Sequence, residues 1–167
     1  AGFALVDTYD GDISLIKNGD DFFSNMLMAQ YDDQIIEAPA WLDEQIRYPE
    51  ELFSWKTEMY NIYHVEDVET FIQANEFYEI PRGLDTYYIQ AKPPGFEQTE
   101  FVGLLSLELR GSQGRNLAGY MVVENDMNNL GKMTFYEVPL DSETKLLGPT
   151  SVREALDRDP DFAQLKT

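Results

Sequence analysis

The 167-residue sequence has no cysteine and a single histidine. The first absence excludes a disulfide framework, a thiol nucleophile and any Cys-ligated metal site. The second excludes a histidine-rich metal centre and every mechanism that needs two imidazoles. Basic residues are also scarce: 12 Lys and Arg stand against 31 Asp and Glu, for a formal charge of −19 at pH 7. Such a field repels phosphate backbones and anionic lipid, so nucleic acid is excluded as a direct partner. Long apolar runs are missing as well, since stretches such as 102–105 and 120–123 fall far short of the roughly 18 residues a membrane-spanning helix needs. The chain is therefore expected to be soluble, and membrane attachment is expected only through spans of a parent protein outside it. The segment Ala1 to Val6 lacks a basic region and meets Asp7 early, so it reads as a first strand and not as a signal peptide.

What is present suits a folded domain. Hydrophobic residues make up 43% of the chain, with ten Phe and ten Tyr, enough for a sizeable core. The pattern changes near Pro81-Arg82-Gly83. Before it, Asp10-Gly11 between two alternating runs predicts a hairpin with a type I′ turn. Helices are predicted after Asp20, from Pro39, from Pro49 and over Glu66 to Ala74. Leu52, Trp55, Met59 and Ile62 recur at spacings of three and four, which predicts an inward stripe on the clearest of these helices, and Val68, Phe71 and Ile72 are read inward likewise. From Leu84 the period drops to two, and β-strands follow to about Val138. Ser151 to Glu154 opens a last helix in capping-box fashion, interrupted by Pro160. The reading is one α+β domain over 1–167: a hairpin plus helical half (1–83) packed on an antiparallel sheet of three to five strands (84–149), and a short C-terminal helix (150–167). Residues 1–83 carry a charge of −14 and residues 84–167 carry −5, so the helical half presents the acidic face.

Three oxygen-rich segments invite a hard cation. Asp7, Asp10 and Asp12 flank Gly11 on the hairpin, although turn chemistry alone accounts for Asp-Gly. Asp157, Asp159 and Asp161 alternate as at the start of an EF-hand loop, but Phe162 stands where that loop wants glycine. Glu124, Asp126, Asn128 and Asn129 form the third, which also reads as a turn. His64 follows an aromatic run at a predicted helix end, and there it is a structural cap before it is a base. Gly111 to Asn116 lacks the Gly-Lys-Ser/Thr ending of a phosphate loop and reads as a hairpin connection. Trp41, Trp55, Tyr48, Tyr60 and Tyr63 suit a carbohydrate or peptide groove, yet their helical spacing reads as core. No catalytic or cofactor-binding residue can be named from these segments.

More specific than any of these is the block Arg47-Tyr48-Pro49-Glu50-Glu51-Leu52-Phe53, then Met59-Tyr60, Tyr63-His64, Asp67 and Phe71. Val6 to Gly11 precedes it, and Ile80-Pro81, Tyr88, Pro94-Gly95, Glu100-Phe101, Arg115-Asn116, Gly131-Lys132-Met133, Tyr136, Pro139, Gly148-Pro149 and Glu154 to Pro160 follow in order. The chain thereby resembles an uncharacterised family of large bacterial and archaeal integral membrane proteins, with several N-terminal spans and a long extracytoplasmic region. It departs from the family pattern at Val68, at Phe96 and over Leu105 to Gly111. The resemblance implies a fragment of the extracytoplasmic region, with no assigned activity. The function expected is a structural or protein-interaction module whose acidic helical face attracts a cationic protein partner or divalent cations. The alternative is a Ca²⁺-stabilised or carboxylate-based hydrolytic domain, in which Asp7, Asp10 and Asp12, or Asp157, Asp159 and Asp161, converge.

Overall fold

The computed structural model describes residues 2–74, 77–110, 115–139 and 145–165. Its contacts group into two compact units, 1–46 and 47–167. The class is α+β, as the change of period predicts.

In the first unit, β1 (Gly2–Val6) pairs antiparallel with β2 (Ile13–Lys17), from Gly2↔Lys17 to Val6↔Ile13. The connection is not the expected type I′ turn, which needs positive φ at two central residues. Gly11 has φ 83°, and Ala74 is the one non-glycine described with positive φ. A wider loop forms instead, closed by Asp7 N–H donating to Asp12 O and Gly11 N–H donating to Asp7 O. Helix α1 (Phe22–Met28) is capped by Asp21, whose carboxylate accepts from the Phe23 and Ser24 amides. Asp20, the expected cap, pairs with Lys17 at 3.0 Å. A 3₁₀ segment (Ala29–Gln34) follows. Residues 40–45, expected as a helix from Pro39, form successive turns.

In the second unit, α2 (Glu50–Tyr63) and α3 (Val68–Gln73) precede a five-stranded antiparallel sheet. Its strands are β3 (Tyr78–Glu79), β4 (Tyr87–Ala91), β5 (Glu100–Leu109), β6 (Leu117–Glu124) and β7 (Met133–Glu137). The order is β3-β5-β6-β7, and β4 shares the β3 edge of β5 through Tyr87↔Leu104 and Ala91↔Glu100. Helices α4 (Pro149–Arg158) and α5 (Pro160–Leu165) end the chain.

Alternation divides the sheet into two faces. Leu105, Leu107, Leu109, Met121 and Val123 turn to α2 and pack with Phe53 and Tyr78. Val102, Leu104, Ser106, Tyr120 and Val122 turn the other way, which makes β5 and β6 apolar on both sides. The buried α2 residues are Phe53, Thr57 and Asn61, and the Tyr60 ring packs on Phe135 of β7 at 5.2 Å. The expected inward stripe is reversed: Leu52, Trp55, Met59 and Ile62 are exposed, Trp55 by 62% and Met59 by 61%. Phe71, Val68 and Ile72 of α3 are exposed as well. The physical reason lies in the strand register. The sheet already fills its α2-facing layer with large side chains, so the smaller Thr57 and Asn61 fit where a second row of Trp and Met would overpack.

At the far end of β5, Glu108 is 1% exposed. Its Oε1 accepts from the Thr150 amide at 2.6 Å and its Oε2 from Thr150 Oγ1 at 2.9 Å. Gly148, the N-cap position of α4, supplies no side-chain cap, so a strand carboxylate does that work.

Candidate functional site

The three carboxylates that gather among the described residues are Glu100, Glu124 and Asp126, with one oxygen from each lying within 4.8 Å of the others. The strand ladder explains the grouping. Glu124 ends β6 opposite Val102, and Glu100 starts β5 two residues earlier on the same face, a diagonal neighbour of Glu124. Asp126 enters from the turn that follows. Its Oδ1 accepts from the Asn128 and Asn129 amides, both at 3.0 Å, while its Oδ2 is buried with no hydrogen-bond partner. Asn125 anchors the turn from beneath, accepting from the Tyr48 amide at 2.8 Å and donating to Phe101 O at 3.3 Å. The return to β7 passes Gly131, at φ 81°, where a Cβ would lie 2.4 Å from the Tyr48 ring.

Lys132 stands across from the carboxylates and pairs with Glu124 at 3.0 Å. Glu124 is nearly enclosed, whereas the Lys132 side chain is largely exposed. The Glu124 hydrogen bond raises the Lys132 pKa above its ordinary value. Burial raises that of Glu100, and the Glu124 and Asp126 charges push it further up, with Lys132 opposing. The group borders a cleft of about 370 Å³ formed with Gly95, Phe96, Gln98 and Asn129. Chemically this is a hard-oxygen site of three carboxylates with one ammonium already in place.

The trios read from the sequence lie elsewhere, and all six of their side chains are exposed. Asp7 Oδ1 accepts from the Tyr9 amide and Asp10 Oδ1 from the Asp12 amide, as hairpin turn bonds. Asp159 Oδ1 accepts from the Asp161 and Phe162 amides at the start of α5, and Asp157 lies in α4. Neither trio forms a group of the kind that Glu100, Glu124 and Asp126 make among the described residues. His64 is the C-cap of α2: its Nδ1 lies 2.8 Å from Tyr60 O, and its ring stacks on Tyr78 at 4.1 Å. Residues 111–114 of the glycine loop lie outside the described residues, and Arg115 pairs with Glu154 at 3.1 Å. Trp41 and Trp55 are exposed and Tyr48 is half-buried. The spacing of the third segment does signal Glu124 and Asp126. Glu100 is missed because only the β5–β6 register brings it in.

The second sheet face carries two apolar grooves. One, of about 280 Å³, lies between Pro93, Pro94, Leu104, Tyr120, Val122 and Tyr136. The Tyr136 hydroxyl donates to Pro94 O at 2.8 Å and closes one end. The other, of about 490 Å³, lies between Gly83, Leu84, Tyr87, Leu104 and Ser106.

Residues 3–167 match the profile of an uncharacterised protein family, UPF0182. A UPF0182 protein of Sulfurovum sp. is 29% identical over 95% of the chain, and one of Methanospirillum hungatei is 31% identical over 96%. One of Rhodococcus jostii is 31% identical over 98%. The chain spans 18%, 19% and 17% of the length of these three relatives. No solved structure matches.

Proposed function

Because the chain belongs to the uncharacterised protein family UPF0182, we propose that it is a structural, protein-interaction module of a much longer polypeptide. In this reading the module stands on the extracytoplasmic side of a membrane, held by spans outside this chain. The likeness to large integral membrane proteins supports that placement. No helix among the described residues is long and apolar enough to cross a membrane. The observation that carries the interaction reading is the pair of apolar grooves on the second sheet face. Two grooves lie beside Leu104, and Tyr87 and Tyr120 stand exposed at their rims. Apolar patches of this kind, rimmed by polar residues, mark contact surfaces. The charge of −14 on residues 1–83 favours a cationic protein partner, whose binding weakens as salt rises.

The test is topology in a full-length family protein carrying this chain. Glu97 is exposed, and Glu97→Cys introduces the chain's only thiol. With other cysteines of the parent removed, a membrane-impermeant maleimide is expected to label intact cells. Labelling that appears only after lysis overturns the extracytoplasmic placement.

A second reading, a divalent-cation-stabilised domain, is favoured by the buried, unpartnered Oδ2 of Asp126 beside Glu100 and Glu124. Ca²⁺ would have to displace the Lys132 ammonium from Glu124. Millimolar Ca²⁺ is then expected to raise the melting temperature, and no shift eliminates this reading.

A further inference from the structure

Helix α2 buries a side with one large apolar residue and exposes its more apolar one. At roughly 100° per residue, Leu52, Trp55, Met59, Ile62 and Tyr63 fall within one arc directly opposite Phe53, Thr57 and Asn61. The inner side is the one that touches the sheet, yet it holds two polar residues whose Oγ1 and Oδ1 atoms are buried without partners. The outer side holds the larger apolar surface and is open. A stripe of this size left uncovered on a helix marks a contact surface. The adjoining helix extends the open surface: Tyr63 stacks on Phe71 at 6.4 Å, and Val68 and Ile72, one turn apart on α3, are 71% and 76% exposed.

The geometry points to the outer face of α2 as the seat of an apolar segment from the remainder of the same full-length polypeptide. This rests on the module reading above. The relatives carry more than four-fifths of their length outside the part that this chain matches, which supplies such a segment. A second copy is disfavoured, because two chains of −19 repel, and an anionic membrane surface is disfavoured for the same reason. Glu51 and Glu58 border the stripe on one side, so the seated segment is expected to carry basic residues flanking its apolar ones.

The experiment measures thiol modification in the detergent-solubilised full-length protein, with Met59→Cys or Glu97→Cys as its only cysteine. Modification at position 59 is expected to be at least tenfold slower than at 97. In the isolated 167-residue chain the two rates are expected to be similar. Equal rates in the full-length protein overturn the proposal. So does protection of position 59 in the isolated chain that grows with concentration, since the occupant is then a second copy. Protection that appears only after reconstitution into vesicles also overturns it in favour of lipid. If Met59→Cys does not fold, Trp55→Cys on the same stripe answers the same question. Detergent removes sidedness from the measurement, so a failed topology test and a failed docking test remain distinct.

Discussion

The orientation of α2 is open to a paired substitution in the isolated chain. Thr57 is 0% exposed and its hydroxyl has no hydrogen-bond partner. A buried donor left unpaired costs about 1–3 kcal/mol. Valine has nearly the same shape and a similar helix propensity, so Thr57→Val removes the cost and leaves the packing against Phe53 intact. The expected result is a stabilisation of about 1–2 kcal/mol, seen as a higher urea midpoint with an unchanged slope. For a chain of this size that corresponds to a melting temperature roughly 2–8 °C higher. Met59 faces solvent, so Met59→Ser is expected to move stability by no more than about 0.5 kcal/mol. Were the Leu52–Trp55–Met59–Ile62 stripe turned to the sheet, both outcomes would differ. Thr57→Val would be neutral, and truncating Met59 would cost about 2–5 kcal/mol. A Met59→Ser loss above 2 kcal/mol, or a destabilising Thr57→Val, refutes the helix orientation and the docking proposal built on it.

Glu108→Ala removes both bonds to Thr150 and is expected to cost about 3 kcal/mol by urea melt; a loss below 0.5 kcal/mol would show that α4 does not depend on this carboxylate. Asp67 accepts from the Thr70 amide, which holds its pKa below the ordinary carboxylate value. Its contribution to stability is therefore fully present above that ordinary value and lost as pH falls through the lowered one. Carboxyl NMR titration of Asp67 is expected to give a midpoint below the ordinary value, and a midpoint at or above it contradicts the capping role. Lys132→Met leaves the enclosed Glu124 without its counter-ion, so the melting temperature is expected to fall at pH 7. An unchanged melting temperature would show that the pair does not stabilise the fold.

The elements themselves are largely legible in the sequence, because period and punctuation are local. Pro49 with Glu50 and Glu51 opens α2, Asp67 caps α3, and the alternation of 101–109 is β5. Helix α4 begins two residues before the expected Ser151, because Pro149 fits its first turn and Glu108 caps it from a distant strand. Burial is where periodicity misleads. A stripe at three-and-four spacing says that one side of α2 seeks cover, and it cannot say which neighbour provides it. In this chain the sheet takes the opposite side, so an apolar stripe that would ordinarily report the core reports instead a surface.

The candidate site is legible only to the extent that its residues are neighbours in sequence. Alternating aspartates draw attention at 7–12 and 157–161, yet Asp7, Asp10 and Asp159 spend carboxylate oxygens on amides two or three residues away. Short spacing favours such turn and cap bonds, because the backbone donors are already within reach. Glu100 and Glu124 are 24 positions apart, too far to compete for each other's local amides, and the β5–β6 ladder presses them together at the cost of their mutual repulsion. That cost is met in part by Lys132, which the tight turn from Asn125 to Gly131 returns to the same strand end. A carboxylate group assembled by long-range pairing and retained against its own repulsion is therefore the stronger candidate for a cation than either alternating run. Its position also links the two features that the family relationship leaves open. The same 91–98 connection walls the carboxylate cleft at Gly95 and Phe96 and lines the apolar groove at Pro93 and Pro94.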